Sequence, residues 1–204
     1  MKRDYRLLFG PAAAILFVLG TVALATMMVP GYSHVRQTVS EIGEMSSPAR
    51  IPFAILLCAI ATCIVIFALA LHDRSLALGH SAVASYLTGC MAVSVVGVGI
   101  FAYPHPLHNV FGLSELIGYQ APLFLALSWK GDPRVRSVVT VSWLFYLLVC
   151  VAIALNLSPM VRHGMVWTYV QPIHGLAQRA LFMAWFGWCF VVGLVLFKSD
   201  GAER

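Results

Sequence analysis

Six runs of apolar residues follow one another along the chain, at about 7–30, 51–72, 80–103, 109–128, 137–157 and 174–197, with short polar stretches between them. A helix needs roughly 20 apolar residues to cross the hydrocarbon of a bilayer, and each run has that length. The runs are continuous. They do not alternate in the short segments of a membrane barrel, so they predict helices. Tyr103-Pro-His-Pro-Leu-His108 contains two prolines and predicts a tight non-helical link between the third and fourth runs. Gly79 and Pro133 punctuate the second and fourth turns. The first run follows Met1-Lys-Arg-Asp-Tyr-Arg, is too long for a signal-peptide core and lacks a convincing cleavage site, so it reads as a span. The expected fold is all-α: one integral membrane domain over 1–204, with six transmembrane helices in a bundle.

Composition sharpens this picture. The 204 residues are 60% hydrophobic and only 10% charged, with a mean hydropathy of +0.87. Soluble domains carry about 25% charged residues, so a water-soluble core is excluded. The basic residues then orient the bundle. Lys2, Arg3, Arg6, Arg74, Lys130, Arg134, Arg136, Lys198 and Arg204 fall on the side of the termini, and only Arg36, Arg50 and Arg162 on the other. Cytoplasmic loops collect Lys and Arg, so the bias predicts an N-in/C-in arrangement with the two longer loops, 31–50 and 158–173, outside. The net charge of +5 is mostly this topological signal; the basic residues are dispersed and no nucleic-acid motif accompanies them. The expected location is the cell membrane as a multi-pass protein, the inner membrane in a diderm bacterium. Cys58, Cys63, Cys90, Cys150 and Cys189 fall inside apolar runs without CxxC spacing and read as buried free thiols. Trp129, Trp143, Trp167, Tyr103 and Tyr169 read as an interfacial aromatic belt, with Trp185 and Trp188 as packing residues.

The polar residues gather towards the outer side. His34, His105, His108, His163 and His174 lie there, with Glu41, Glu44 and Glu115; only His72 and His80 are inside. Thr38-Val-Ser-Glu41 has capping-box spacing and predicts a short helix over about 38–45. Two charges stand at membrane depth. Glu115, on one helix face with His108 and Tyr119, is roughly 9–10 Å inside the outer boundary, and Arg179 roughly 7–8 Å. A guanidinium cannot shed its charge there, so an ion pair with Glu115 is the expected partner, with Gly175 allowing a neighbouring helix to approach. His108, His174, Gln178, Tyr119, Ser40 and Glu41 are the residues able to surround that pair as a ligand site. His105-Pro-Leu-His108 with His174 forms a second candidate set, for zinc. A copper site using the outer histidines with Met27, Met28, Met45, Met160 and Met165, and a haem between His72 and His80, are weaker candidates. No span holds a lysine, which excludes a retinal Schiff base.

Three short motifs suggest a family. Ser40-Glu-Ile-Gly43 resembles the Ser-Glu/Asp-Leu-Gly element of the prokaryotic membrane family catalogued as domain of unknown function 998. Gly99-Ile-Phe101 with His108 is similar to its Gly-x-Phe-Pro…His segment, and Gly175-Leu-Ala-Gln-Arg179 to its Gly-x-x-Gln/Glu-Arg element. The resemblance covers about 15–197. Ala102-Tyr-Pro-His105 departs from the family's Pro-Asp. The resemblance implies six helices and a shared outer site at Ser40, Glu41, His108 and Arg179, and supplies no reaction. Three readings therefore stand: a pocket of Arg179, Glu115 and His108 that binds or moves a lipid or small anionic ligand; a metal-assisted hydrolase using His105, His108 and His174; or a structural subunit held by a Glu115–Arg179 ion pair. Membrane lipids are the expected partners, with a homo-oligomer or a larger membrane complex as further candidates.

Overall fold

In the computed structural model, residues 3–161 and 164–202 are described; Lys2, Arg162, His163 and Arg204 of the sequence reading lie outside them. Among the described residues the regular structure is helical, with no strand. The α-helices are α1 (Phe9–Met28), α2 (Arg50–Ala77), α3 (Val83–Ile100), α4 (Pro106–Gly118), α5 (Ala121–Ser128), α6 (Arg136–Asn156), α7 (Met165–Val170) and α8 (His174–Ala202). Six stretches are long and apolar enough to cross a membrane: Tyr5–Met28, Arg50–Ala77, Val83–Ile100, Pro106–Ser128, Pro133–Met160 and Met165–Ser199. Each coincides with one of the predicted runs. Many large apolar side chains face outwards, among them Leu19, Ile51, Val93, Leu147 and Val151, as a lipid-facing surface requires.

The spans close into a ring. α1 packs on α2, α2 on α3, α3 on α4, α5 on α6, α6 on α8, and α8 returns to α1. Phe17, Phe67, Trp185, Phe186 and Trp188 fill the centre. Both ends of the chain meet at one end of the ring, where Arg3 lies over the Phe197 ring and Tyr5 packs against it. The segments 29–49, 101–105, 157–161 and 164–173 share the opposite end, and Met45 N donates to Tyr103 O across it.

The fourth span is broken in the middle, at Tyr119 and Gln120, which the sequence reading took as continuous. Pro122 is the cause. It has no N–H for the Gly118 carbonyl four residues earlier, and its ring crowds that carbonyl. In a bilayer an orphaned carbonyl costs several kcal/mol, by roughly the desolvation of one peptide group. The carbonyls of residues 115–118, just before the break, are all answered. Glu115 O accepts from Tyr119 N, and Ile117 O from Gln120 N. Leu116 O accepts from the Gln120 side chain, and Gly118 O from the Trp185 indole at 3.0 Å. Tyr146 Oη then donates to Gln120 Oε1. Trp188 likewise donates to Ser142 Oγ.

Other expectations change. The 38–45 segment is a short 3₁₀ turn, Val39–Gly43, although its capping box of Thr38 and Glu41 forms as predicted. All five cysteines are free, but Cys58, Cys90 and Cys150 are exposed on the outside of the bundle and only Cys63 and Cys189 are buried. Trp129 is fully buried and stacks on His80, so it does not belong to an aromatic belt.

Replacing the indole tests the account of the break. Trp185→Phe keeps the apolar bulk and orphans Gly118 O, and should lower stability by about 1–3 kcal/mol. Pro122→Ala supplies a backbone N–H at that carbonyl. Thermal unfolding in detergent should show Trp185→Phe costing less on the Pro122→Ala background than alone; equal costs would refute the link.

Candidate functional site

Arg179 does not meet Glu115. Its Nη1 lies 2.8 Å from His34 O, 2.8 Å from Gln37 O and 2.9 Å from Gly175 O, and its Nη2 donates to Tyr32 Oη at 2.6 Å. The guanidinium carbon also sits 5.6 Å from the Tyr32 ring centre. Tyr32 Oη in turn donates to Thr38 O at 2.6 Å. Leu176 N donates to Val35 O, which answers one of the free N–H groups of the first turn of α8. Gln178 Oε1 accepts from Val39 N at 2.6 Å. The whole segment Gly175–Arg179 thus reads the backbone of residues 32–39.

Gly175 makes this approach feasible. A Cβ there would collide with the carbonyls of His34, Val35 and Gln37. Glu41 serves the same segment from inside: Oε1 accepts from Thr38 N and Oγ1, and Oε2 from Gln37 Nε2. The expected ion pair between Glu115 and Arg179 is therefore replaced by an arginine bound to carbonyls. The reason is local: the folded-back loop lays the His34 and Gln37 carbonyls within reach of Arg179, and Gly175 O of α8 itself supplies a third.

Glu115 has a different setting. It is 7% exposed and accepts at Oε2 from Tyr119 Oη at 3.1 Å; Tyr119 is 2% exposed. Both line a cavity of about 470 Å³. It lies where the fourth span splits: α4 packs chiefly on α3, whereas α5 packs on both α3 and α6. His108 and Asn109 line it from α4, Asn156 from the end of α6, His174 and Gln178 from α8, and Ser40 from the 3₁₀ turn. Leu113, Leu116, Met160, Leu181 and Phe182 supply apolar wall.

Six of the eight residues expected at a ligand site therefore do converge: Glu115, His108, Tyr119, His174, Gln178 and Ser40. Arg179 and Glu41 do not; they hold the 32–39 segment. Asn109, Asn156 and Tyr32 were missed. Asn156 could have been found as a lone amide near a span end; its Nδ2 donates to Ala152 O and Ala177 O and ties α6 to α8.

His108 Nδ1 lies 2.8 Å from Phe101 O. A carbonyl only accepts, so Nδ1 carries a proton, and the tautomer that fits has Nε2 as its acceptor. His105 is turned away: Nδ1 accepts from Leu107 N, capping α4, and the ring rests on Phe101. Among the described residues no three His, Cys, Asp or Glu side chains stand close enough to hold a metal, so His105, His108 and His174 do not assemble as the zinc set. His72 is engaged with Asp73 and Tyr86, and His80 with Asp132 and Trp129, so they do not form a facing haem pair. Met27, Met45, Met160 and Met165 are exposed on the surface rather than grouped for copper. At that other end of the bundle, hydrogen bonds from Arg134 and His80 hold the Asp132 carboxyl well below the usual carboxylate range.

A family model described as "Protein of unknown function (DUF998)" matches residues 11–195. The chain belongs to this family. No curated protein and no solved structure matches it. The DUF998-like motifs noted in the sequence are joined in space. Gln178 and Arg179 of the late motif hold the segment that leads into Ser40–Gly43, and His108 is bonded to Phe101 of the middle one.

Two predictions follow from this clamp. Gly175→Ala should cost about 1–3 kcal/mol by forcing the loop from α8. Gly112→Ala, where a Cβ meets nothing, should be neutral or gain up to about 1 kcal/mol from helix propensity. Unfolding midpoints of the two variants would separate them.

His34 adds a pH dependence. Burial, and then the Arg179 charge, hold its imidazole below the ordinary 6.5, and its Nε2 is buried without a partner. The folded chain binds fewer protons there than the unfolded chain. The stabilisation is full above pH 6.5 and is lost as pH falls through the lowered folded value. Thermal midpoints measured from about pH 7 to about pH 5 should drop less in His34→Phe than in the wild type; an unchanged slope would count against it.

Proposed function

We propose that this membrane protein binds a small amphiphile, a lipid or lipid-like molecule, with its polar head in the cavity between α4, α6 and α8. The observation that carries the reading is the buried Glu115–Tyr119 pair facing that cavity at the helix break, with His108, His174, Gln178 and Ser40 around it. A buried ionisable group in a membrane span marks a functional site by default. The mixture of polar groups and apolar wall suits a ligand with a polar head and a hydrocarbon body. The anionic ligand loses its support with Arg179, whose guanidinium is committed to the loop. The broken fourth span favours movement of the ligand as well as binding, since interrupted helices at membrane depth are a transporter feature. The distribution of Lys and Arg supports a cavity on the outer side, with both termini inside.

Filling the cavity tests this. Gly112 lines it and faces open space, so Gly112→Leu should keep the fold while occupying the site. In nanodiscs, a panel of single-chain amphiphiles should raise the melting temperature of the wild type and leave Gly112→Leu unshifted. Equal shifts in both proteins would defeat the proposal.

A further inference from the structure

The Glu115 carboxyl is more than nine-tenths buried, and Tyr119 is its one partner among the described residues. Tyr119 answers Oε2 and leaves Oε1 for the cavity. A carboxylate taken out of water without a counter-charge is costly, so it must either hold a proton or meet a cation. Among the described residues no Lys or Arg pairs with it: Arg179, the basic residue at similar depth, is bound to the 32–37 segment.

The rest of the lining distinguishes which cation would fit. A small metal cation wants several oxygens around it. The carbonyls released by the helix break are already used by Tyr119, Gln120 and Trp185. An ammonium on an organic molecule needs fewer: one carboxylate oxygen, an aromatic face and room for its chain. Glu115, the rings of Tyr119 and Phe182, and the apolar wall provide these. His108, two turns along the same face, offers Nε2 as a second acceptor for another donor on the same head.

We infer that the cavity selects a cationic amphiphile, an amine-headed molecule whose ammonium pairs with Glu115. This rests on the amphiphile-binding reading above and names the class of its ligand.

The test uses three probes with the same chain and different heads: decylamine, decanol and decanoate, each titrated onto the intact protein in nanodiscs at neutral pH. The amine should bind at least about tenfold tighter than the alcohol, and the carboxylate weaker than both. Glu115→Gln keeps the size and an acceptor for Tyr119, and should bring amine and alcohol within about twofold of each other while alcohol binding persists. Nanodiscs without protein give the partition of each probe into lipid, which is subtracted. Equal binding of amine and alcohol to the wild type, stronger binding of decanoate, or an amine preference that survives Glu115→Gln would each overturn the inference while leaving the pocket standing. If no probe binds the wild type above the empty nanodisc, or if Gly112→Leu binds all three as the wild type does, the pocket reading itself fails and the inference with it.

Discussion

A backbone carbonyl that has lost its helical N–H finds no water inside a bilayer, and much of this structure answers that constraint. Pro122 removes the donor for Gly118, and Trp185 supplies another from α8. The same helix meets the constraint in reverse at its own start. There the free N–H of Leu176 and the guanidinium of Arg179 are satisfied by carbonyls of a loop that has come down to meet them. One helix thus holds both the break in the fourth span and the loop that covers it. The hydrogen bonds are useful here because the alternative partner, water, is absent.

The two charges at membrane depth divide their work. Arg179 cannot lose its proton, and it is spread over several neutral acceptors, which solvate it without needing an opposite charge. Glu115 can be neutral or charged, and is placed where that choice matters, against an open cavity with one hydroxyl for company. An ion pair between them would have silenced both. Their separation leaves a loop held by one and a chemically open site at the other.

The helix break produces that site. α4 and α5 share α3 as a neighbour, but α5 also packs on α6, and the cavity opens between α4, α6 and α8. A proline four residues after Gly118 therefore does more than interrupt hydrogen bonding. It sets the shape of the cavity, and Trp185 makes that shape affordable in hydrocarbon.

The membrane class, the six spans and the gathering of polar residues at one end were legible from the chain, because they depend on length, hydropathy and order alone. So was the capping box of Thr38 and Glu41, which needs only neighbours three residues apart. Glu115, His108, His174, Gln178, Tyr119 and Ser40 could be named as a group since they share one end of the bundle. Partner choice was a different matter. Opposite charges at similar depth suggested that Arg179 seeks Glu115, but depth says nothing about rotation around the helix axis or about where a loop folds back. Backbone carbonyls are invisible in a sequence because every residue has one, so the acceptors that hold Arg179 carried no signal. The Pro122 break was present in the letters, yet its donor, 63 positions later at Trp185, is defined only when α8 packs against Gly118. The sequence by itself determined how many spans there are and which polar groups lie at which level. Only the tertiary structure decided which of those groups are used up in holding the bundle and which remain free to meet a ligand.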